Sequence, residues 1–349
     1  MPKCGSQVVL CDLPVRFDTY KGCSHGCVYC FAQKKANMSD IKPYESVFVL
    51  KNFIEGKRGR DTSWCDWDIP LHWGGMSDPF QPAEKVFRRS YDCLKVFAET
   101  GYPFVFSTKG ALAADPEYLE LFAECNVVGQ VSMVSPKYDA LEAGAPTFAE
   151  RLGMLGKIAP KVKRLIVRVS PYSAGLSSEV ASHMQDFKNA GVYGVEIEAM
   201  KRGKKRDGWV KVGGDYCYPV EVLRRDFETI RDAAKQSGLA FFVGENRLRA
   251  MGDSTTCCGV AGVPGFNPNT ANLNSFIKNG RINYRRKMEE TGTAKCFLDG
   301  YLQDSVSNIT IKKTSYKEMM EIATNTKVFL SVMGARCCGR TGGCVKRRG

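Results

Sequence analysis

The sequence predicts an α/β protein that folds as a partial (β/α)6 barrel, similar to a TIM barrel, followed by a cysteine-rich C-terminal extension. The chain has 349 residues, of which 44% are hydrophobic and 25% charged, so it can bury a large core. Short β-branched and aromatic runs alternate with longer stretches of helical spacing, which is typical of parallel βα units. This alternation weakens after Arg249.

Strand-like runs and helical spacing of apolar residues locate the strands and helices of the barrel. Six candidate strands cover residues 67–73, 104–108, 127–134, 165–170, 194–199 and 240–243. Helical patterns cover residues 85–100, 115–125, 149–158, 177–190 and 219–237. Consecutive βα units with right-handed crossovers form a parallel sheet, and chemistry gathers at the carboxyl ends of its strands. We therefore assign residues 1–249 to the barrel and residues 250–349 to a basic, cysteine-rich region that caps the substrate site, with a helix near residues 316–326.

Composition narrows the class of protein. Fifty Lys and Arg residues against 37 Asp and Glu give a net charge of +13, which favours a polyanionic partner, although a basic enzyme without one is the alternative. No apolar run approaches the roughly 18 residues that a membrane span requires, and the first residues lack the apolar region of a signal peptide. We therefore expect a cytoplasmic protein without a membrane partner. Its 15 cysteines direct attention to metal or redox chemistry.

Three of these cysteines lie close together in residues 21–31. Cys23, Cys27 and Cys30 follow a short strand-like run, and Gly22 and Gly26 allow the intervening loop to turn tightly. Thiolates are suited to zinc and to iron–sulfur clusters. Three protein ligands on a four-iron cluster leave one iron open to a small molecule. A structural zinc loop is the alternative, and His25 is the nearby candidate for its fourth ligand.

The spacing Cys-x3-Cys-x2-Cys, with Tyr29 just before the third cysteine, resembles the signature of radical S-adenosylmethionine (radical SAM) enzymes. The resemblance implies that Cys23, Cys27 and Cys30 bind a [4Fe–4S] cluster whose open iron chelates SAM. The 5′-deoxyadenosyl radical formed there would abstract a hydrogen atom from a substrate. It also implies a partial barrel of the radical SAM type, an electron donor of the flavodoxin or ferredoxin type, and an adenine-packing role for the ring of Tyr29.

Three further stretches resemble the spore photoproduct lyase branch of this superfamily. They are residues 72–84, which contain Ser77-Asp78-Pro79, residues 106–110, which contain Thr108-Lys109-Gly110, and residues 141–152, which contain Leu141-Glu142 and Arg151-Leu152. The resemblance implies polar contacts to SAM from Ser77 and Lys109, and places a glycine pair where the SAM amino group is held, with Asp78 as the nearby carboxylate. Arg168, at a strand end, is a further candidate contact to SAM or substrate. The candidate SAM-binding residues are Tyr29, Gly74, Gly75, Ser77, Asp78, Lys109 and Arg168.

The sequence departs from that branch at one position. The lyase has a cysteine three residues before the Asp of Ser-Asp-Pro, which returns a hydrogen atom to the product radical, and this chain has Gly75 there. Cys65, Cys93 and Tyr29 are candidates to take over, and we select Cys65 and Tyr29 as the candidate catalytic residues. Reversal of a DNA photoproduct by the lyase route is therefore not predicted.

The remaining cysteines allow a second metal site. Cys257, Cys296, Cys337 and Cys344 provide enough thiolates for an auxiliary iron–sulfur cluster, whereas a zinc site and free thiols are the alternatives.

The sequence allows more than one class of substrate. A basic run at residues 201–206, with Trp209 and Tyr216 nearby, favours nucleic acid as the molecule repaired or modified. Radical modification of a peptide or a small molecule is the alternative. A non-catalytic, zinc-stabilised nucleic-acid-binding protein is the alternative from another class.

Overall fold

The computed structural model describes residues 2–5, 8–212, 214–291, 296–298, 309–311 and 314–325. The strands are β1 (Lys3–Cys4), β2 (Val15–Phe17), β3 (Tyr20–Lys21), β4 (Lys42–Pro43), β5 (Leu71–Trp73), β6 (Phe104–Thr108), β7 (Val127–Ser132), β8 (Arg164–Tyr172), β9 (Gly194–Ala199), β10 (Lys201–Arg202), β11 (Val210–Val212), β12 (Asp215–Cys217), β13 (Ala240–Val243), β14 (Cys296–Leu298) and β15 (Ile309–Ile311). The helices are α1 (Ser46–Ile54), α2 (Glu84–Phe87), α3 (Arg89–Thr100), α4 (Pro116–Glu124), α5 (Phe148–Ile158), α6 (Ser177–Ser182), α7 (Met184–Asn189), α8 (Val220–Gln236), α9 (Leu273–Asn279), α10 (Arg286–Glu290) and α11 (Tyr316–Thr324).

The main sheet has eight strands in the order β1-β2-β5-β6-β7-β8-β9-β13. Every pair from β2 to β13 is parallel, and β1 joins the edge in an antiparallel pair. Within the described residues the two ends of this order do not pair, so the sheet is open, as in a partial barrel. The six predicted strands are all present, and β2 adds a seventh parallel strand from the short run before the cysteine loop.

Helices lie between consecutive parallel strands, as the sequence predicts. Two of the predicted helices are each divided. The pattern at residues 85–100 becomes α2 and α3 because Arg88 adopts a left-handed conformation with φ 51°, and the pattern at 177–190 becomes α6 and α7, which meet at His183. The crossovers place a large apolar core between the sheet and the helices.

The inner face of the sheet carries a smaller apolar layer. Val105, Val128 and Ile166 pack there against residues 258–266. This later segment runs from β13, where Asp253 exchanges hydrogen bonds with Phe241, to the chain ahead of β2, where the Leu273 amide donates to Val9 at 2.8 Å. Residues 253–274 therefore cover the open side of the sheet. The division of the chain at residue 249 stays a prediction.

No helix among the described residues is long and apolar enough to cross a lipid bilayer.

Candidate functional site

The candidate site lies at the carboxyl ends of β2, β5, β6 and β7. The loops that follow these strands hold Gly74–Asp78, Lys109 and Glu142, and the cysteine loop lies against them through hydrogen bonds described below. Functional residues in parallel α/β barrels collect at this edge because successive loops converge there. The structure thus brings together stretches that are more than a hundred residues apart in sequence.

The cysteine loop is fixed by its own backbone and by Gln81. Gly22 has a φ of +81°, and a side chain there would place its Cβ 2.8 Å from the carbonyl oxygens of Met38 and Asp40, so glycine is required. The Gln81 amide donates to the Gly22 carbonyl at 3.1 Å, and its oxygen accepts from the Ser24 amide at 2.9 Å. The loop is therefore anchored to the segment after β5.

The thiols of Cys23, Cys27 and Cys30 are free and partly exposed. Burial raises the pKa of Cys23 to about 12, with further contributions from Asp78 and Cys27, and burial also raises the pKa of Cys27, which Cys30 raises further. Among the described residues, no three His, Cys, Asp or Glu side chains converge closely enough to hold a single metal ion. Thiolates that bind a cubane each bind a different iron and need not converge on one point. This unpaired three-thiol set fits the donor chemistry of an iron–sulfur cluster.

His25, the candidate fourth zinc ligand, is already occupied. Its side chain is buried, with Nδ1 3.0 Å from the Gly144 carbonyl oxygen and Nε2 3.1 Å from Asp78 Oδ2. Burial disfavours the charged ring, but Asp78 and the carbonyl outweigh it and raise the pKa of His25. With a carbonyl oxygen beside one ring nitrogen and a carboxylate beside the other, this geometry does not favour His25 as a zinc ligand.

Asp78 links the cysteine loop to β6. Besides His25, its carboxylate accepts hydrogen bonds from the Thr108 hydroxyl at 2.7 Å and from the Lys109 amide at 2.6 Å. Burial would raise the pKa of Asp78, but His25 and these donors lower it to about 2. Both carboxylate oxygens have partners, so this geometry gives Asp78 a positioning role. Its predicted contact with the SAM amino group stays a prediction.

Glu142 and Arg151 form a buried ion pair beside Tyr29. Arg151 Nη2 lies 2.6 Å from the Glu142 carboxylate, and both side chains are 1% exposed. The Tyr29 hydroxyl donates to Glu142, and Lys109 Nζ lies 4.0 Å from that carboxylate and 5.7 Å from the centre of the Tyr29 ring. Glu142 and Arg151, which belong to the third lyase-like stretch, thus hold the Tyr29 side chain. Tyr29 lies between Cys27 and Cys30 in the sequence.

The turn after β5 depends on a glycine and on Asp18. Gly74 has a φ of +90°, and a Cβ there would lie 2.5 Å from a carbonyl oxygen of β6. Asp18, which sequence reasoning missed, accepts from the amides of Met76 at 2.9 Å and Ser77 at 3.2 Å, and burial raises its pKa to about 6. The Ser77 hydroxyl donates to the Tyr20 carbonyl at 2.7 Å. The predicted SAM contacts of Gly74 and Ser77 stay predictions.

The position that carries a cysteine in the lyase is crowded here. A Cβ on Gly75 would lie 3.0 Å from Cδ of Arg16, so the arginine stem fills the space beside this glycine. Cys65 and Cys93, the candidate replacements, are fully buried in the core between sheet and helices. Cys65 lies ahead of β5, at the amino end of that strand, and its hydrogen-donor role stays a prediction.

A polar layer lies inside the barrel, above the apolar layer of Val105, Val128 and Ile166. His72 Nε2 lies 2.9 Å from the Ser107 hydroxyl, and that hydroxyl lies 2.7 Å from the Gln130 amide oxygen. Burial lowers the pKa of His72 to about 3, helped by Arg168 and Arg16, so the ring is neutral at pH 7.

Arg168 belongs to the same interior layer. Its guanidinium lies 3.0 Å from Glu196 and 3.2 Å from Glu198. Burial disfavours its charged form, but these two carboxylates outweigh it and raise the pKa of Arg168. Both partners are protein carboxylates, and its contact with SAM or substrate stays a prediction.

Only part of the second predicted metal site lies among the described residues. Cys257 lies with its Sγ 3.8 Å from that of Cys258, close to Arg168 and Arg249. Cys337 and Cys344 lie outside the described residues, and for Cys296 the description covers the strand backbone. The auxiliary cluster stays a prediction.

Comparison with known sequences gives distant relatives. No protein-family model matches the chain. Uncharacterized proteins of Mycobacterium bovis and Mycobacterium tuberculosis are 28% identical over 232 residues. The match covers 61% of this chain and 66% of the relatives, so the chain spans about two thirds of their length.

Comparison with solved structures gives the fold. A variant of spore photoproduct lyase with dinucleoside spore photoproduct has a TM-score of 0.54 and 17% identity, covering 69% of this chain and 78% of that one. A second variant, which also holds S-adenosylmethionine, has a TM-score of 0.53 and 18% identity over 66% and 76% of the two chains. SuiB of Streptococcus suis bound to S-adenosylmethionine has a TM-score of 0.50 and 11% identity over 92% and 68%. The chain therefore shares the fold of spore photoproduct lyase and SuiB, which agrees with the fold that the sequence resemblance predicts.

Proposed function

We propose that the protein is a radical SAM enzyme. The observation that carries the proposal is the position of three free thiols beside Lys109 and the turn at Gly74, on a fold shared with spore photoproduct lyase. When bound, a [4Fe–4S] cluster and SAM would supply a 5′-deoxyadenosyl radical for hydrogen abstraction from a substrate.

The residues of the chain have separate roles in this proposal. Cys23, Cys27 and Cys30 hold the cluster. Lys109 provides a positive charge for the carboxylate of SAM, since its side chain is 15% exposed and its nearest described carboxylate lies 4.0 Å away. Tyr29 packs against the adenine while its hydroxyl stays bound to Glu142.

The test is anaerobic reconstitution with iron, sulfide and a reductant. We expect a brown protein with about four irons per chain, or about eight where the predicted auxiliary cluster is also present, which cleaves SAM to 5′-deoxyadenosine and methionine. The variant Cys27→Ser should lose both properties, and Cys125→Ser, a buried thiol in the helix-side core, should keep them. A colourless, air-stable protein that binds zinc instead would establish the rival, a zinc-stabilised nucleic-acid-binding protein.

We propose nucleic acid as the substrate, repaired or modified by hydrogen abstraction. The support comes from the small sheet of β10, β11 and β12, which follows β9 at the carboxyl edge of the barrel. Its exposed cations, Lys204, Lys205, Arg206 and Lys211, have no carboxylate partner among the described residues. Asp215 lies 3.8 Å from Lys34 Nζ, so this sheet adjoins the helical turn that follows the cysteine loop.

The substrate proposal has its own test. Phosphate contacts release counterions, so the affinity for an oligonucleotide should fall steeply with salt. Replacing Lys204, Lys205 and Arg206 together by Gln should weaken binding and reduce the salt slope by about one per cation lost. Binding without salt dependence would refute the substrate class and direct the search to peptides or small molecules.

A further inference from the structure

The inner face of the sheet carries a row of polar side chains near its carboxyl edge, which we call the polar row. Ser132, the last residue of β7, pairs in register with Arg168 on β8, and Arg168 pairs with Glu196 on β9. Lys109 directly follows β6, whose last residue pairs with Val131, so Lys109 begins the row. The residues beside them on each strand belong to the helix-side core, so these side chains face the interior. Adjacent strands lie about 4.8 Å apart, so the row spans roughly 14 Å from β6 to β9.

Direct contacts connect the polar row to the cysteine loop. The Ser132 carbonyl accepts a hydrogen bond from Arg151 at 2.6 Å. Arg151 pairs with Glu142, and Glu142 accepts from the hydroxyl of Tyr29, which lies in the cysteine loop. The first member of the row, Lys109, has its Nζ 4.0 Å from the same Glu142 carboxylate. The row therefore begins at the proposed cluster and SAM site and runs from there to the opposite wall of the barrel.

Glu196, at the far end of the row, has one carboxylate oxygen that no described residue occupies. Its Oε2 lies 3.0 Å from Arg168 Nε, and the side chain is 1% exposed. Its Oε1 is buried and has no hydrogen-bond partner among the described residues. Gly244, which follows β13, leaves room for this oxygen, because a Cβ there would overlap with it. A buried acceptor without a partner is costly, so Oε1 indicates a place for a donor group of a ligand.

The other charged groups of this wall are paired with one another. Glu198 lies 3.2 Å from Arg168 Nη2 through Oε2 and 3.0 Å from Lys201 Nζ through Oε1. The side chains of Arg168, Glu198 and Lys201 are 24%, 29% and 20% exposed, so the wall is reached from the mouth of the barrel. Lys201 begins β10 in the small basic sheet. A nucleotide bound to that sheet by its phosphates can therefore extend its base to Glu196.

We propose that Glu196 selects cytosine as the substrate base by accepting a hydrogen bond from its exocyclic amine. This inference deepens the proposed function and rests on its nucleic-acid substrate. An ionised carboxylate only accepts hydrogen bonds, and the amine of cytosine is a matching donor. Thymine and uracil carry a carbonyl oxygen at that position, so two acceptors would face each other without a proton between them. Glu196 is thus a specificity-determining residue, which favours cytosine and disfavours thymine.

The first experiment compares single strands of deoxycytidine and of thymidine that have equal length, so that their phosphate contacts are the same. Fluorescence anisotropy is measured at pH 8, because burial raises the pKa of Glu196 to about 7 and the carboxylate must be ionised. The wild type should bind the cytosine strand about 10-fold more tightly than the thymine strand. Glu196→Gln should bring this ratio close to one.

Glu245→Gln is the matched control and should keep the ratio. Glu245 is likewise buried, with one oxygen 3.0 Å from Arg247 Nε and the other without a hydrogen-bond partner among the described residues. Arg247 donates to the Tyr218 carbonyl ahead of α8, so this carboxylate lies outside the polar row. Equal loss of base preference in both variants would overturn the inference, because it would then follow from removing any buried carboxylate.

The second experiment changes the ligand and leaves the protein intact. A strand of 2-pyrimidinone, which is cytosine without its amine, should bind the wild type as weakly as the thymine strand. Equal affinity for the cytosine and 2-pyrimidinone strands, or for the cytosine and thymine strands, would overturn the inference. SAM cleavage is measured on the same protein after reconstitution. Absence of 5′-deoxyadenosine would refute the proposed function whatever the base preference, whereas cleavage without a base preference would refute the inference alone.

Discussion

Replacing Glu142 by Gln measures how much the buried ion pair beside Tyr29 contributes to stability. The substitution keeps the shape of the side chain but leaves Arg151, 1% exposed, without its carboxylate at 2.6 Å. Removing one partner of a buried ion pair costs about 3–5 kcal/mol. We expect the lower end of this range, about 3 kcal/mol, because Asp139 lies 3.6 Å from the same guanidinium and Arg151 Nη1 keeps its hydrogen bond to the Ser132 carbonyl at 2.6 Å.

The chain offers a matched control for the same chemical change. Glu117 forms a bidentate pair with Arg88 at 2.7 and 2.8 Å, but the two side chains are 43% and 38% exposed. Glu117→Gln should therefore cost less than about 1 kcal/mol. Urea unfolding followed by circular dichroism gives both values. Equal losses for Glu142→Gln and Glu117→Gln would refute the argument from burial, and the double variant Glu142→Gln with Arg151→Met should lose less than the sum of its single changes.

Three further predictions concern the site. Gly74→Ala should lower the free energy of unfolding by about 1–3 kcal/mol because Gly74 has a φ of +90°. Gly153→Ala, in a helix with open space around it, should raise it by up to about 1 kcal/mol. Thermal unfolding that ranks the two variants in the opposite order would contradict this reasoning. Lys109→Ala should weaken SAM binding by roughly 10- to 100-fold, the equivalent of one charged hydrogen bond, and calorimetric titration of reconstituted protein that finds no change excludes the contact. Because the pKa of His72 is lowered from 6.5 to about 3, the unfolded chain binds more protons between these values, so stability should fall as the pH falls through this window. His72→Asn should remove up to about 1.4 kcal/mol per pH unit of this slope, and identical pH profiles of unfolding would contradict the assignment.

The barrel was predictable because hydrophobic periodicity reports the burial of each element. Strands β6, β9 and β13 have the predicted bounds. Strands β6 and β13 are short, largely apolar runs close to glycines, and β9 alternates apolar residues with glutamates. The break at Arg88 was not predictable, because a non-glycine residue takes a left-handed conformation only when its surroundings stabilise it. Here the side chain is held by Glu117, 29 residues away, a contact that local sequence does not encode.

The candidate site was predictable where residue type and spacing suffice. The three thiols and the glycines of their loop follow from chemistry that few other residues supply. The contacts of Asp18 with Met76 and Ser77 and of His25 with Asp78 were not predicted, because they join residues 53 to 59 positions apart. The position of Cys257 inside the barrel likewise follows from the path of residues 253–274 across the open side of the sheet. Sequence spacing predicts ligands within one loop, whereas a site built from separate elements needs the fold.

Three contacts that involve no thiol hold the cysteine loop against the barrel. Gln81 anchors its first turn, the His25 side chain links its middle to Asp78, and the Val28 amide donates to the Leu141 carbonyl at 3.0 Å. These anchors come from the segments after β5 and β7, so the cost of ordering the loop is met when the barrel folds. A preformed loop retains more of the binding free energy of a metal centre than one that must order on binding. It follows that loosening an anchor without touching a thiol, as in Gln81→Ala, should lower the affinity for the cluster, and iron retention during dialysis against a chelator would reveal it.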